Sequence, residues 1–136
     1  MIKPVMKSEF FLRLPSEDAG PDDAATGQDL LDTLHEHERE CVGLAANMIG
    51  VRKRIICVKD GNRTLLMYNP QILEQVNAYQ TSEGCLSLTG ERPCTRYRRI
   101  KVEYLDENFV HRIKNFSGYT AEIIQHENDH CNGIVI

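Results

Sequence analysis

No apolar run in this 136-residue chain approaches the length of a membrane-spanning helix. The N-terminal region also lacks the apolar stretch of a signal peptide, because Lys3, Lys7, Glu9 and Arg13 interrupt it. There is no internal repeat and no low-complexity tract. Positive charge is not in excess: 16 Lys and Arg stand against 20 Asp and Glu, a net charge of −4, which gives no basis for nucleic acid as the main partner. The cysteine count is five, so the thiols do not pair off into a disulfide framework. These absences lead us to expect a soluble, cytoplasmic protein with no membrane or nucleic-acid partner and with reduced thiols. In that setting a cysteine near histidines is a candidate ligand or nucleophile rather than half of a disulfide.

What is present fits one domain over residues 1–136, long enough to bury a core. Residues 14–27 combine Pro, Gly and acids and read as a surface loop. Residues 28–39 put Leu30, Leu31 and Leu34 on one helical face, with His35 and His37 as surface residues. Residues 54–58 and 64–68 are β-rich and flank the hairpin turn Lys59-Asp60-Gly61-Asn62. Residues 99–104 alternate, with Ile100, Val102 and Tyr104 on one face, and the chain returns through 109–113 after a turn. Five nearby bases, Arg92, Arg96, Arg98, Arg99 and Lys101, read as a solvated strand edge, with a site for a peptide carboxylate as the lesser reading. Residues 118–131 read as a helix stopped by Gly133. The fold class expected is α+β, with antiparallel strands packed around this helix.

That helix carries His126-Glu127-Asn128-Asp129-His130. Histidines at i and i+4 share one face, so both imidazoles can reach one ion, and the intervening Glu127 can act as general base toward a bound water. A catalytic site of this kind takes a third protein ligand. In one class of such sites it is a histidine six residues further on, but that position is Ile136; in another it is a glutamate of a later helix, for which the chain leaves no room. The third ligand is therefore expected upstream, from Cys41, Cys57, Cys85, Cys94, His35, His37 or His111. Cys57 sits in an apolar strand and His111 in an exposed hairpin. Cys85 is favoured among the rest by Gly84 beside it, which permits close backbone approach.

Three segments, in order, resemble the peptide deformylase family: Gly43-Leu44-Ala45-Ala46 with Ile49-Gly50, then Glu83-Gly84-Cys85-Leu86-Ser87, then Gln125-His126-Glu127-Asn128-Asp129-His130 with Gly133. The run Ala45-Ala46-Asn47-Met48 is similar to that of short deformylase-like proteins of Gram-positive bacteria. The resemblance implies that Cys85, His126 and His130 hold one divalent ion, Fe2+ natively with Zn2+ or Ni2+ as other occupants. It implies that Glu127 moves protons, that the Leu86 backbone N–H helps hold the oxyanion, and that the substrate is the N-formyl group on the initiator methionine of new polypeptides. The stretch Val42, Gly43, Leu44 and the pair Glu83, Gly84 would line the peptide site. The helix positions Tyr119, Glu122 and Ile123 would add a side-chain pocket.

The sequence departs from the family pattern at Met48, where the family has a glutamine, and at Cys41, where it has a glycine. Met48 has no donor for the oxyanion, and Asn47 next to it would point the other way in an extended segment. Reduced activity is the expectation. The alternatives are a nearly inactive relative that keeps its metal, or a metallohydrolase acting on another N-acyl peptide. The chain stops at Ile136, short of the C-terminal helix linked to ribosome docking in many members, so weak or no docking is expected.

Overall fold

The computed structural model describes residues 1–135; Ile136, where a third helical histidine would fall, lies outside the described residues. A short helix α1 (Glu9–Leu12) precedes α2 (Ala24–Glu36). Five strands follow: β1 (Gly43–Ala45), β2 (Ile55–Asp60), β3 (Arg63–Cys85), β4 (Leu88–Leu105) and β5 (His111–Ser117). The helix α3 (Gly118–Cys131) comes last. All neighbouring strands are antiparallel, in the order β1-β2-β3-β4-β5. The expected α+β architecture is what forms.

β2 explains the layering. Ile55, Ile56, Cys57 and Val58 are all fully buried, so both faces of the strand are covered. α2 covers one face, where Leu30 and Leu34 are buried and the Cys57 thiol lies 3.8 Å from the Leu30 carbonyl oxygen. α3 packs on β2 as well, and its Ala121 and Ile124 are fully buried. The hairpin forms where the Gly-Asn turn predicts, with Asp60 opposite Arg63. Ile100, Val102 and Tyr104 are buried on one face of β4, as their alternation requires.

Two expectations need correction, and one long hairpin was not expected. Residues 14–27 are not all loop: a 3-10 turn at Pro21–Asp23 leads into α2 at Ala24, and a Cβ on Gly27 would lie 2.1 Å from the Tyr68 hydroxyl oxygen. Glycine lets the first turn of the helix seat against the sheet. Residues 69–98 form most of a long β3–β4 hairpin that no hydrophobic periodicity announced. Most of Glu74–Gln80 is exposed, so neither face of this stretch is patterned by burial. Residues 46–49 form a 3-10 turn, so Asn47 and Met48 do not alternate as strand neighbours.

α3 is the centre of the molecule. Gln125, His126, Glu127, Asn128 and His130 are all buried, and buried polar groups require partners. The Gln125 amide donates to the carbonyls of Tyr97 (2.8 Å) and Ala121 (2.9 Å), and its oxygen accepts from the Tyr97 N–H at 2.8 Å, fastening α3 to β4. Arg54 donates to Asn128 and Asn132 and to the Pro70 carbonyl, fastening the other end. Asn47 donates to the His130 carbonyl at 3.0 Å. The helix ends at Gly133, whose φ of +74° is left-handed and whose absent Cβ would lie 2.4 Å from the Arg13 carbonyl oxygen. Among the described residues no helix is long and apolar enough to cross a membrane.

Candidate metal centre

His126 and His130 lie one turn apart on α3, as the spacing predicts, and their Nε2 atoms are 3.2 Å from each other. Cys85 closes β3 just before the two-residue turn Leu86-Ser87, and its Sγ lies 3.4 Å from His130 Nε2. The ligand atoms of all three residues fall within 4.8 Å of one another. A tetrahedral ion with ordinary zinc-type bond lengths would hold two nitrogens about 3.3 Å apart and a nitrogen and sulfur about 3.6 Å apart. The donor set fits one divalent ion on those distances. Of the other upstream candidates, Cys57 is core, and His35 and His111 are exposed.

The orientation of His126 is set behind the site. Its Nδ1 lies 2.8 Å from Glu83 Oε1, so an N–H there donates to the carboxylate and leaves the Nε2 lone pair facing Cys85 and His130. Glu83 is itself held by Arg96, whose Nε and Nη2 reach it at 2.7–3.1 Å, while Nη1 donates to Asp129 at 2.7 Å. Arg96 is 4 % exposed. Reading it as part of a solvated strand edge was wrong, although Arg98 and Arg99 are exposed as expected. A run of arginines carries no mark of the one that turns inward, and Glu83 inside the motif was the only clue to its partner.

Burial pushes the Glu83 carboxyl up, but hydrogen bonds from His126 and Arg96 outweigh it and hold Glu83 well below the usual carboxylate range. Burial also disfavours charge on His126; its contacts with Cys85 and Glu83 and the charge of Glu127 reverse this and raise it to about 10, so an arriving ion displaces a proton from Nε2 before it takes the lone pair. His130 is lowered to about 3, first by burial and then by the charge of His126. Arg96→Ala would leave Glu83 and Asp129 without their countercharge. We expect a loss of about 3–5 kcal/mol in stability, read by denaturant unfolding, with Arg96→Lys recovering only part because an ammonium cannot match the forked contact. Unchanged unfolding in Arg96→Ala would contradict the network.

Glu127 lies between the histidines and points to neither. It is 3 % exposed, and its Oε1 accepts no hydrogen bond from a described residue. Burial raises its pKa to about 7, helped by the charge of Glu83 and opposed by His126. Its carboxylate fits because Gly43 has no side chain: a Cβ there would lie 2.7 Å from Ile123 Cγ2 and 3.0 Å from Glu127 Oε2.

A cavity of about 710 Å³ opens over these groups. Val42, Gly43, Met48, Glu83, Gly84, Leu86, Tyr119 and Ile123 all line it. Leu44 is the exception: its side chain is fully buried in the core, so only its backbone is left to serve a substrate. Ile123 is buried, while Tyr119 is 64 % exposed at the mouth. Met48 is 1 % exposed, with its sulfur 3.4 Å from the Ala45 N–H. Cys41 also lines the cavity, its thiol pushed up to about 12 by burial and by the charge of Glu127.

Two imidazoles and a thiol at chelating distance, with a buried carboxylate beside them in an open cavity, are the chemistry of a metallohydrolase. Comparison with known proteins agrees and narrows the class. The family described as polypeptide deformylase matches residues 7–136. A peptide deformylase of Clostridium beijerinckii is 51 % identical over 136 residues, covering 100 % of both chains. Peptide deformylase 1 of Clostridium perfringens is 38 % identical over 111 residues, 79 % of this chain and 74 % of its own. A peptide deformylase structure from Thermotoga maritima superposes with a TM-score of 0.89 at 28 % identity, covering 99 % of this chain and 95 % of that one. A class I type b peptide deformylase from Acinetobacter baumannii with Met-Ala-Ser bound gives 0.87 at 32 % identity, covering 99 % and 97 %. The chain belongs to the peptide deformylase family, a family of metal-dependent hydrolases.

Proposed function

We propose that this protein, acting as one domain in the cytoplasm, removes the N-formyl group from the initiator methionine of new polypeptides, with Fe2+ as the native ion. The observation that carries the reading is the convergence of Cys85 Sγ, His126 Nε2 and His130 Nε2 within 4.8 Å beside a buried Glu127. The relatives' name and the Met-Ala-Ser peptide held by the Acinetobacter baumannii relative support it.

Cys85, His126 and His130 would hold the ion, which when bound supplies Lewis-acid polarisation and makes water a nucleophile at neutral pH. Glu127 accepts a proton from the attacking water as its oxygen bonds to the formyl carbon, then returns the proton to the departing amine nitrogen as the C–N bond breaks. Formate and a free α-amine leave. The Leu86 N–H stabilises the charge that develops on the formyl oxygen. The backbone around Gly43 offers an open strand edge, since among the described residues β1 pairs only with β2, and an extended peptide can lie along it. Val42, Tyr119 and Ile123 bound the space for the first side chain.

Cys85→Ala is expected to lose tight metal binding, measured as bound ion per chain after dialysis; Cys41→Ala and Cys94→Ala are expected to keep it. The opposite pattern would refute the ligand set. Formyl- and acetyl-peptides compared on the same protein test the acyl group: release from acetyl-peptides alone would favour a different deacylase. A nearly inactive, metal-binding relative is the second reading, and the buried Met48 in the cavity is the observation that favours it.

A further inference from the structure

Glu122 is a carboxyl group in the cavity that neither the metal site nor the proton transfers use. It stands on α3 one turn before His126, on the stripe that also presents Tyr119 and Ile123 to the cavity. It adjoins the Glu83 carboxylate and the Tyr79 hydroxyl, and burial, then its hydrogen bond with Glu83 and the charge of Glu83, raise its pKa. It is half-buried and forms no ion pair with a described residue. Val42, Gly43, Tyr119 and Ile123, which line the same cavity, carry no charge.

We propose that Glu122 is a specificity-determining residue: it gives the subsite for the peptide's first side chain a hydrogen-bonding wall, so that long unbranched side chains ending in a donor or a cation are accepted beside methionine. The inference rests on the deformylase reading of this cavity and adds to it a preference at one position. A carboxyl oxygen accepts a hydrogen bond in either protonation state, so a donor is favoured whether or not Glu122 is ionised, and ionisation adds to the preference for a cation. An aliphatic or thioether tip brings that carboxyl no donor, so methionine is held by apolar contact with Val42 and Ile123 and gains nothing from Glu122. The rest of the cavity points the same way. Glu38, Glu40 and Glu91 also line it, and Arg39 is the only Lys or Arg among the lining residues. A donor-bearing peptide therefore meets a field of favourable sign on entry.

The test compares wild type, Glu122→Gln and Glu122→Leu on formyl-Lys-Ala-Ser, formyl-Met-Ala-Ser and formyl-norleucyl-Ala-Ser, with metal content matched. Binding of the three unformylated peptides to the same metal-loaded proteins is measured by calorimetry. We expect the lysine-to-norleucine ratio of kcat/KM to fall about tenfold or more in Glu122→Leu, mainly through KM, with the same ratio falling in peptide Kd. Glu122→Gln, which keeps the shape and an accepting oxygen, should fall between. Ratios that agree across the three proteins within about twofold, in both turnover and Kd, overturn the role of Glu122. Absence of formate from every peptide would sink the deformylase reading, and the Kd ratios would still decide the role of Glu122.

Discussion

Glu127→Gln is expected to keep one divalent ion per chain and to lose hydrolysis by about 10²–10⁴-fold, the usual size of a general acid–base contribution. The amide is nearly the same shape as the carboxylate, so the close packing against Gly43 survives. What disappears is the ability to take a proton from the attacking water and give it to the amine. Because Glu127 is not a ligand, metal content by elemental analysis should match wild type. Two results would count against the role: turnover that persists, or metal that leaves with the carboxylate.

Met48→Gln is expected to raise kcat by about 10²–10³-fold with little change in KM, because an oxyanion donor acts on charge that develops only in the transition state. The structure sharpens this expectation. Met48 is buried at the cavity wall, so a glutamine of similar length would place its amide in the same space. The Ala45 N–H that now faces the Met48 sulfur can donate to the glutamine oxygen, leaving the amide N–H for the substrate. Asn47 cannot take over, since the two N–H groups of its amide are directed at the His130 carbonyl (3.0 Å) and the Leu12 carbonyl (3.5 Å). Steady-state kinetics on formyl-methionyl peptide, at equal metal content, measures the difference. A wild-type rate already equal to that of the glutamine variant would mean that another group supplies the donor.

Much of the site was legible because its chemistry is written at short range. The i, i+4 histidines fix each other on any helix, and Gly133 marks where that helix must stop. Cys85 was legible only through the motif around it, since five cysteines gave spacing no power to choose. What stayed hidden depends on contacts distant in sequence. Arg96 turns inward to meet Glu83 and Asp129, yet it looks like its neighbours Arg98 and Arg99. The long β3–β4 hairpin is exposed over much of its length, so burial left no alternation to read. The fold class survived these misses because it follows from the β2 core run and from α3, whose patterns are strong and local.

The central claim is that hydrolysis of a formyl-peptide depends on an ion held by Cys85, His126 and His130. The most direct test is formate release from a formyl-methionyl peptide by anaerobically purified protein, across samples loaded to different measured metal contents. The account predicts formate release that rises in proportion to bound metal and vanishes in the metal-free protein. No formate from fully loaded protein, or release independent of metal content, would contradict it.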